Sequence, residues 1–496
     1  MFRCIERIRR CVLFGLAAVA AVIALNACRP AEGTTAGQQT DTRTTEQRSI
    51  FAFLDTIIQD WEGQAEFEAE YERLTGIKLT IVQPPHQQYN DRLMIQLASG
   101  VLPDVCEVLP EYLPTLVLDR IAVPVDQFIG GAQYIDSVLP EFLESVRYSD
   151  GALYGIPARD GGGCVTYVRK DWLDRLGLAI PTDWESFVEV LRAFTYDDPD
   201  GNGVDDTYGY TDVHAASEDW YNRAVFLDAH AEIYYRDGGW VDGFAEPAIR
   251  GAMERLSLLC REGLIDPSFV TNTTQSARTA FFNGKVGVIT YWANHWARNL
   301  VERTRATVGE HAQVVPIPAL AETQYIRRVP PILVVTRGAE DPQWVFTNFI
   351  DRQYDKGAIQ TLFTYGVEDY HWSIIDGEMK FLVNDQDPYG AQFTKAFVPP
   401  NAILNDWHRP MRLDALVVDA LAVLNASPYT ERLKTGGLSF RRYYDEIERV
   451  LKADILSRVA TGHLGIDAAL AEYRRASEEL QIESLLEELN STSGDR

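Results

Sequence analysis

The side chains best placed to do chemistry lie in one short stretch. Asp198, Asp200, Asn202 and Asp206 stand at the first, third, fifth and ninth positions of a loop whose sixth position is Gly203. Four oxygen-bearing side chains at that spacing fold around one hard cation; the glycine permits the sharp turn, and the Val204 carbonyl serves the seventh position. This is the pattern of an EF-hand-type calcium loop, and a structural Ca2+ is expected in it. The closing twelfth position, a bidentate Glu in such loops, is Gly209 here. Without a metal the same residues would make an Asx-rich turn between a helix and a strand. No His neighbours the loop and no water-activating constellation is visible, so the ion would stiffen the chain rather than react. Gly-x-Ser-x-Gly, His-Glu-x-x-His and phosphate-binding glycine loops are absent, and the chain is not expected to be an enzyme.

The loop must be held by something. Thr182-Asp183-Trp184-Glu185 reads as a capping box with Thr as the cap, and the helix behind it carries Trp184, Phe187, Val188, Leu191 and Phe194 on one stripe before running into the loop. Upstream, residues 49–54 and 77–82 read as strands, with helices over 61–74 and 89–99 and a third strand starting at Pro103. Strands alternating with helices predict an α/β fold with a largely parallel sheet. Residues 248–262 read as a helix stopped by Gly263, 281–290 as a turn and a buried strand, 332–336 as a strand, 341–351 as a helix and 438–490 as mostly helical. Trp172, Trp184 and Trp344 sit on amphipathic stripes or helix starts and are assigned to cores.

Arg3, Arg7, Arg9 and Arg10 precede an apolar run from Cys11 to Leu25, too short for an ordinary membrane span. The run ends in Leu25-Asn26-Ala27-Cys28, which resembles a bacterial lipobox; the resemblance implies cleavage before Cys28 and lipidation of that cysteine. Residues 28–47 read as a flexible tether. The formal net charge is −26, and residues 1–27 contribute +3, leaving −29 on the remainder. Such a surface excludes nucleic acid as a partner and disfavours electrostatic docking on anionic lipid. Beyond Cys28, three cysteines (Cys106, Cys164, Cys260) remain, with no zinc-type spacing; three thiols are favoured over one disulfide and one thiol.

Several segments together are similar to one family. Leu97-Ala98-Ser99-Gly100 leads into Leu102-Pro103-Asp104-Val105, and Leu153-Tyr154-Gly155-Ile156-Pro157 follows. Tyr167-Val168-Arg169-Lys170-Asp171-Trp172-Leu173 precedes Pro181-Thr182, and the calcium-type loop closes into Asp206-Thr207-Tyr208-Gly209. Glu262-Gly263-Leu264-Ile265-Asp266-Pro267, Asn283-Gly284-Lys285-Val286-Gly287 and Tyr365-Gly366-Val367-Glu368 complete the series. In this order they resemble the extracellular solute-binding protein family 1, the receptors of ABC importers, and within it the sugar-binding lipoproteins that include alginate-oligosaccharide binders. The resemblance implies a two-lobed, type II periplasmic-binding-protein-like α/β fold with the ligand cleft between lobes. It assigns residues 48–158 and 291–350 to lobe 1, and 159–290 and 351–496 to lobe 2, which carries the loop 198–209. It implies a structural calcium whose last ligand falls at Thr207. The implied partners are a carbohydrate, the membrane through the lipid anchor, and two permease subunits, for a monomeric receptor outside the cytoplasm.

Sugar sites need flat apolar faces and side chains that bond hydroxyls. The clusters of that composition are Trp292-Ala293-Asn294-His295-Trp296, Arg159-Asp160 before three glycines, Trp220-Tyr221, then Glu368, Tyr370 and Trp372, and finally Trp407. The three glycines would let a ligand approach the backbone. Arg159 can fork onto a uronate carboxylate or bond neutral hydroxyls. The alternative function is a receptor of the same fold for a peptide, or one coupled to a membrane sensor.

Overall fold

The computed structural model describes residues 48–55, 63–213, 221–382, 413–426 and 428–493. The expected signal segment and tether, Cys28, Trp220 and Trp407 lie outside the described residues. Two sheets organise the body. The first has the strand order Lys78–Val82, Ser49–Phe53, Val105–Val108, Ile332–Val335, Ile156–Pro157. Its first three strands are parallel, and Ile332–Val335 runs antiparallel to both its neighbours. Within this sheet the largely parallel expectation therefore holds for the three N-terminal strands, and in the second sheet the strands Tyr208–Thr211 and Val286–Trp292 are also parallel while its other pairs are antiparallel. The fourth strand in the order comes from a chain returning to this sheet after a long excursion.

The helix Gln64–Thr75 lies between the first two strands in sequence, buries Phe67 and Tyr71, and stops where Gly76 turns left-handed at φ 72°. A residue with a Cβ resists that conformation, which is why a glycine ends the helix. The core around this sheet takes residues from 50–158 and again from 329–372. Each large apolar side chain removed from water there is worth about 1.5–3 kcal/mol.

The second sheet has the order Val314–Pro316, Cys164–Arg169, Val286–Trp292, Tyr208–Thr211. Its strands alternate faces with a period of two: Val168, Tyr210 and Val288 enter one core, and Val165, Tyr167, Ile289 and Tyr291 another. The first of these also holds the C-terminal helices through Phe440, Ile447, Leu456 and Leu485.

These cores divide the chain differently from the expected partition. A boundary at 290/291 would cut the strand Val286–Trp292, and Ala297, Leu300, Val314 and Ile326 pack with that strand's sheet. Conversely, Tyr354, Leu362, Phe363 and Trp372 pack around the first sheet. The physical reason is that an unbroken apolar strand belongs wholly to the sheet that bonds it. The chain crosses between sheets at residues 158–163 and 327–331.

The capping box stands one residue later than expected. Asp183, not Thr182, is the cap: its carboxylate accepts from the Ser186 amide at 2.8 Å, and Ser186 Oγ accepts from the Asp183 amide at 3.2 Å. Cys106 and Cys164 are buried, Cys260 half-buried, and all three are thiols. Among the described residues no helix is long and apolar enough to cross a membrane.

Candidate functional site

The two crossing segments run side by side, and the glycine run explains how. A Cβ on Gly161 would clash with the Arg328 carbonyl oxygen, and one on Gly163 with that of Ile326. These glycines admit the second crossing segment rather than a ligand. The Arg328 amide donates to the Gly162 carbonyl at 2.9 Å and the Ala158 amide to that of Pro331 at 2.7 Å.

Arg328 is thereby delivered to a cleft that opens to solvent. Pro110 and Glu111, just beyond the strand Val105–Val108, line one side. Glu232, Ile233, Glu431, Arg432, Lys434, Phe440, Tyr443, Tyr444 and Glu448 line the other, with Arg328 and Val329 between. The sides touch at the rim: the Tyr112 and Tyr444 rings meet edge-on at 5.8 Å, the Tyr444 hydroxyl reaches Glu111 Oε1 at 3.5 Å, and Arg441 lies 3.5 Å from Asp119.

Three of the expected site residues gather around Arg328 rather than in the cleft lining itself. The Arg328 guanidinium lies 5.6 Å from the ring centroid of Trp292. Trp292 Nε1 donates to the Tyr221 hydroxyl at 3.1 Å, with the two rings at 88°. Arg159 lies close enough to Arg328 to feel its charge, and is ion-paired to Glu107, whose side chain is 2% exposed. Next to this pair, His86 Nδ1 sits 2.9 Å from both carboxylate oxygens of Asp55. The Asp55 charge raises the His86 pKa, so the imidazolium form is favoured there.

Other candidates have structural roles. Asp160 Oδ1 accepts from the Gly162 amide at 3.1 Å, an Asx turn at the crossing. Asn294 caps the helix His295–Val308, accepting from the Trp296 amide at 3.2 Å. His295 is buried, and burial first, then the Arg278 charge, push its pKa down to about 3. Trp296 is half-buried against Tyr291, with the Arg278 guanidinium 3.9 Å from its centroid. Trp372 is buried in the first core and donates Nε1 to the Gly366 carbonyl at 2.9 Å, while Glu368 and Tyr370 are exposed on the turn before it. Trp240, which the sequence leaves unassigned, is core.

The cleft is lined by residues that sequence reasoning passed over, Glu111, Arg328, Lys434, Tyr443 and Glu448, and Glu107 pairs with Arg159 near it. Glu107 carried a signal, a lone charge inside the apolar strand Val105–Val108. Glu448 belongs to a buried network. Its Oε2 accepts from Lys452 Nζ at 2.8 Å and from the Tyr443 hydroxyl, and Lys452 Nζ also donates to the Ala231 carbonyl at 2.6 Å. Glu448 Oε1 is buried without a hydrogen-bond partner.

In the loop, Asp198 and the glycines Gly201 and Gly203 are left-handed, at φ 47°, 73° and 78°. The Asn202 amide nitrogen donates to Asp200 Oδ2 at 2.9 Å and Asp206 Oδ1 at 3.2 Å, so these three side chains converge. Asp198 Oδ1 is buried without a hydrogen-bond partner, an acceptor that a cation would satisfy. Among the described residues no three His, Cys, Asp or Glu side chains form a metal-holding group. A cation here would therefore need the Asn202 amide oxygen and the Val204 carbonyl as well as carboxylates, which suits an oxygen-seeking ion. Thr207 departs from its expected role as closing ligand. It is buried, and its hydroxyl donates to the Phe194 carbonyl at 2.8 Å, tying the loop to the preceding helix. Asp206 is also ion-paired to Lys285, which lowers its pKa.

A family model described as bacterial extracellular solute-binding protein matches residues 62–323. Lipoprotein LipO of Bacillus subtilis (strain 168) is 28% identical over 233 residues, 44% of this chain and 45% of LipO. The fructooligosaccharide ABC transporter substrate-binding protein FusA of Streptococcus pneumoniae serotype 4 is 24% identical over 255 residues, 47% of this chain and 44% of FusA. The aligned part spans about half the length of these curated relatives. The crystal structure of the alginate-binding protein AlgQ2 without calcium ion superposes with a TM-score of 0.68 at 19% identity, covering 91% of this chain and 99% of that one. That likeness establishes the type II, two-lobed fold.

Proposed function

The chain belongs to the bacterial extracellular solute-binding protein family, and on that premise we propose that it is a lipid-anchored receptor that binds an oligosaccharide between its lobes and hands it to an ABC permease. The observation that carries this reading is the cleft itself. It is open, lined from both cores, and floored by a crossing segment that sets Arg328 against Trp292. Aromatic faces and hydrogen-bonding side chains together are what a pyranose ring requires. Ligand that touches both sides stabilises the closed arrangement, because binding favours whichever state it contacts more fully. No step of bond-making is assigned to any residue.

The anchor would be Cys28, and the permease subunits are partners by family membership. A structural Ca2+ would be held by Asp198, Asp200, Asn202, Val204 and Asp206, bracing the junction between the helix Trp184–Tyr196 and the strand Tyr208–Thr211. We take one lobe as the first sheet with its core, residues 48–158 and 329–381, and the other as 164–326 with 415–493.

A thermal-shift screen of the full chain in detergent against a glycan panel tests this. Ligand that binds only the folded state raises the melting temperature by mass action. A rise with one class of oligosaccharide is expected. A rise with peptides and none with glycans would replace the sugar reading.

A further inference from the structure

The two lobes meet at the rim of the cleft through side chains carried on opposite cores. Tyr112 and Asp119 flank the short helix Leu113–Leu118, whose Leu113 and Leu116 are buried in the first core. Arg441 and Tyr444 face them from the helix Leu438–Tyr443 and its continuation Tyr444–Leu451, whose Phe440, Tyr443 and Ile447 are buried in the second. Asp119 lies 3.5 Å from Arg441, and the Tyr112 and Tyr444 rings meet edge-on at 5.8 Å. A further approach lies at Tyr148 of the first core, close enough to Glu488 of the C-terminal helix Ile482–Ser493 to feel its charge.

Each side is held from behind. The Asp119 amide donates to the Thr115 carbonyl at 3.0 Å, closing its own helix. On the other lobe, Lys452 Nζ donates to the Tyr443 hydroxyl at 2.6 Å, and Glu488 Oε1 accepts from the Gly437 amide at 2.6 Å, where the helix begins. Neither helix can swing away without breaking its own core, so these contacts part only when the lobes move. A contact made in one arrangement and lost in another shifts the balance toward the first. The Arg441 and Asp119 side chains are 40% and 48% exposed, so their pair is weak and screened by salt, able to release as well as hold. Neither residue is among those lining the cleft.

We propose that the Asp119–Arg441 pair, with the Tyr112–Tyr444 contact beside it, is a latch between the lobes that holds the ligand-gripping arrangement and so sets affinity without touching the ligand. This rests on the receptor reading above. Raising the fraction of chains in the gripping arrangement tightens apparent affinity in proportion, and the gain appears as slower dissociation.

The test is titration of the full chain in detergent with fructo-, xylo-, malto- and galacturono-oligosaccharides. The tightest binder is then compared on the unaltered chain, Arg441→Glu, Asp119→Lys and the double exchange, each shown by its melting curve to be folded. Each single reversal is expected to weaken binding about three- to tenfold through faster dissociation, and the double exchange, which restores an opposite-charge pair, to recover most of the loss. Single variants that bind as tightly as the unaltered chain or tighter, or a double exchange that adds the two losses, would overturn the latch while sustaining the receptor reading. Silence from every glycan on the unaltered chain would overturn the receptor reading, and the latch with it.

Discussion

The Trp292 indole donates to the Tyr221 hydroxyl at 3.1 Å, and the two rings stand at 88°. The bond fixes the plane of an aromatic face beside the cleft. If that face supports a sugar ring, Trp292→Ala should weaken oligosaccharide binding by about tenfold or more, the value of losing one large apolar contact. Tyr221→Phe removes only the orienting bond and should cost less than Trp292→Ala. Titration calorimetry of both variants checks the order.

Glu107 and Arg159 form a pair in which the carboxylate side chain is 2% exposed and the guanidinium side chain 18%. Glu107→Gln leaves a largely buried cation without its counter-charge and should lower unfolding stability by about 3–5 kcal/mol. Glu107→Leu with Arg159→Met should recover much of that loss. Urea unfolding of the single and double variants measures the difference.

His295 titrates near 3 in the folded chain because burial, then the Arg278 charge, disfavour its cation. In the unfolded chain it titrates near the ordinary value, about 6.5. Between those values the unfolded state binds more protons, so stability rises with pH across this window. The contribution is complete above about pH 6.5 and is lost as pH falls toward 3. His295→Gln should flatten the slope of unfolding free energy against pH between about 4 and 6.5. An identical slope in the variant would contradict the assignment.

The calcium loop yields a contrast between neighbours. Asp200→Ala should abolish the rise in melting temperature on adding Ca2+. Thr207→Val should leave calcium affinity unchanged while costing about 1 kcal/mol, since its hydroxyl bonds the Phe194 carbonyl. Lys285→Ala, which frees Asp206 from its ion pair, should tighten calcium binding. Chelator melts and calcium titrations distinguish the three.

Local pattern carried the fold a long way. The apolar run through Ile289 is a buried strand, and the stripe of the helix Trp184–Tyr196 is a core face. Where the pattern misled, two residues competed for one role: Asp183 outcompetes Thr182 as cap because a carboxylate is the stronger acceptor. The cleft was less legible. Asn294 and Trp372 have the composition of a sugar site, but Asn294 caps a helix and Trp372 donates inside a core. Glu111 meets Tyr444 across 333 positions of chain. Nothing near either residue announces that meeting, because it is made by the packing of two sheets whose strands come from distant segments.

The most direct measurement is a calorimetric titration of the full chain with its best oligosaccharide from the screen, followed by chromatography of the recovered ligand after long incubation. A receptor gives saturable one-to-one binding and returns the ligand intact. Heat with no glycan, or a ligand recovered shortened, would contradict the receptor reading.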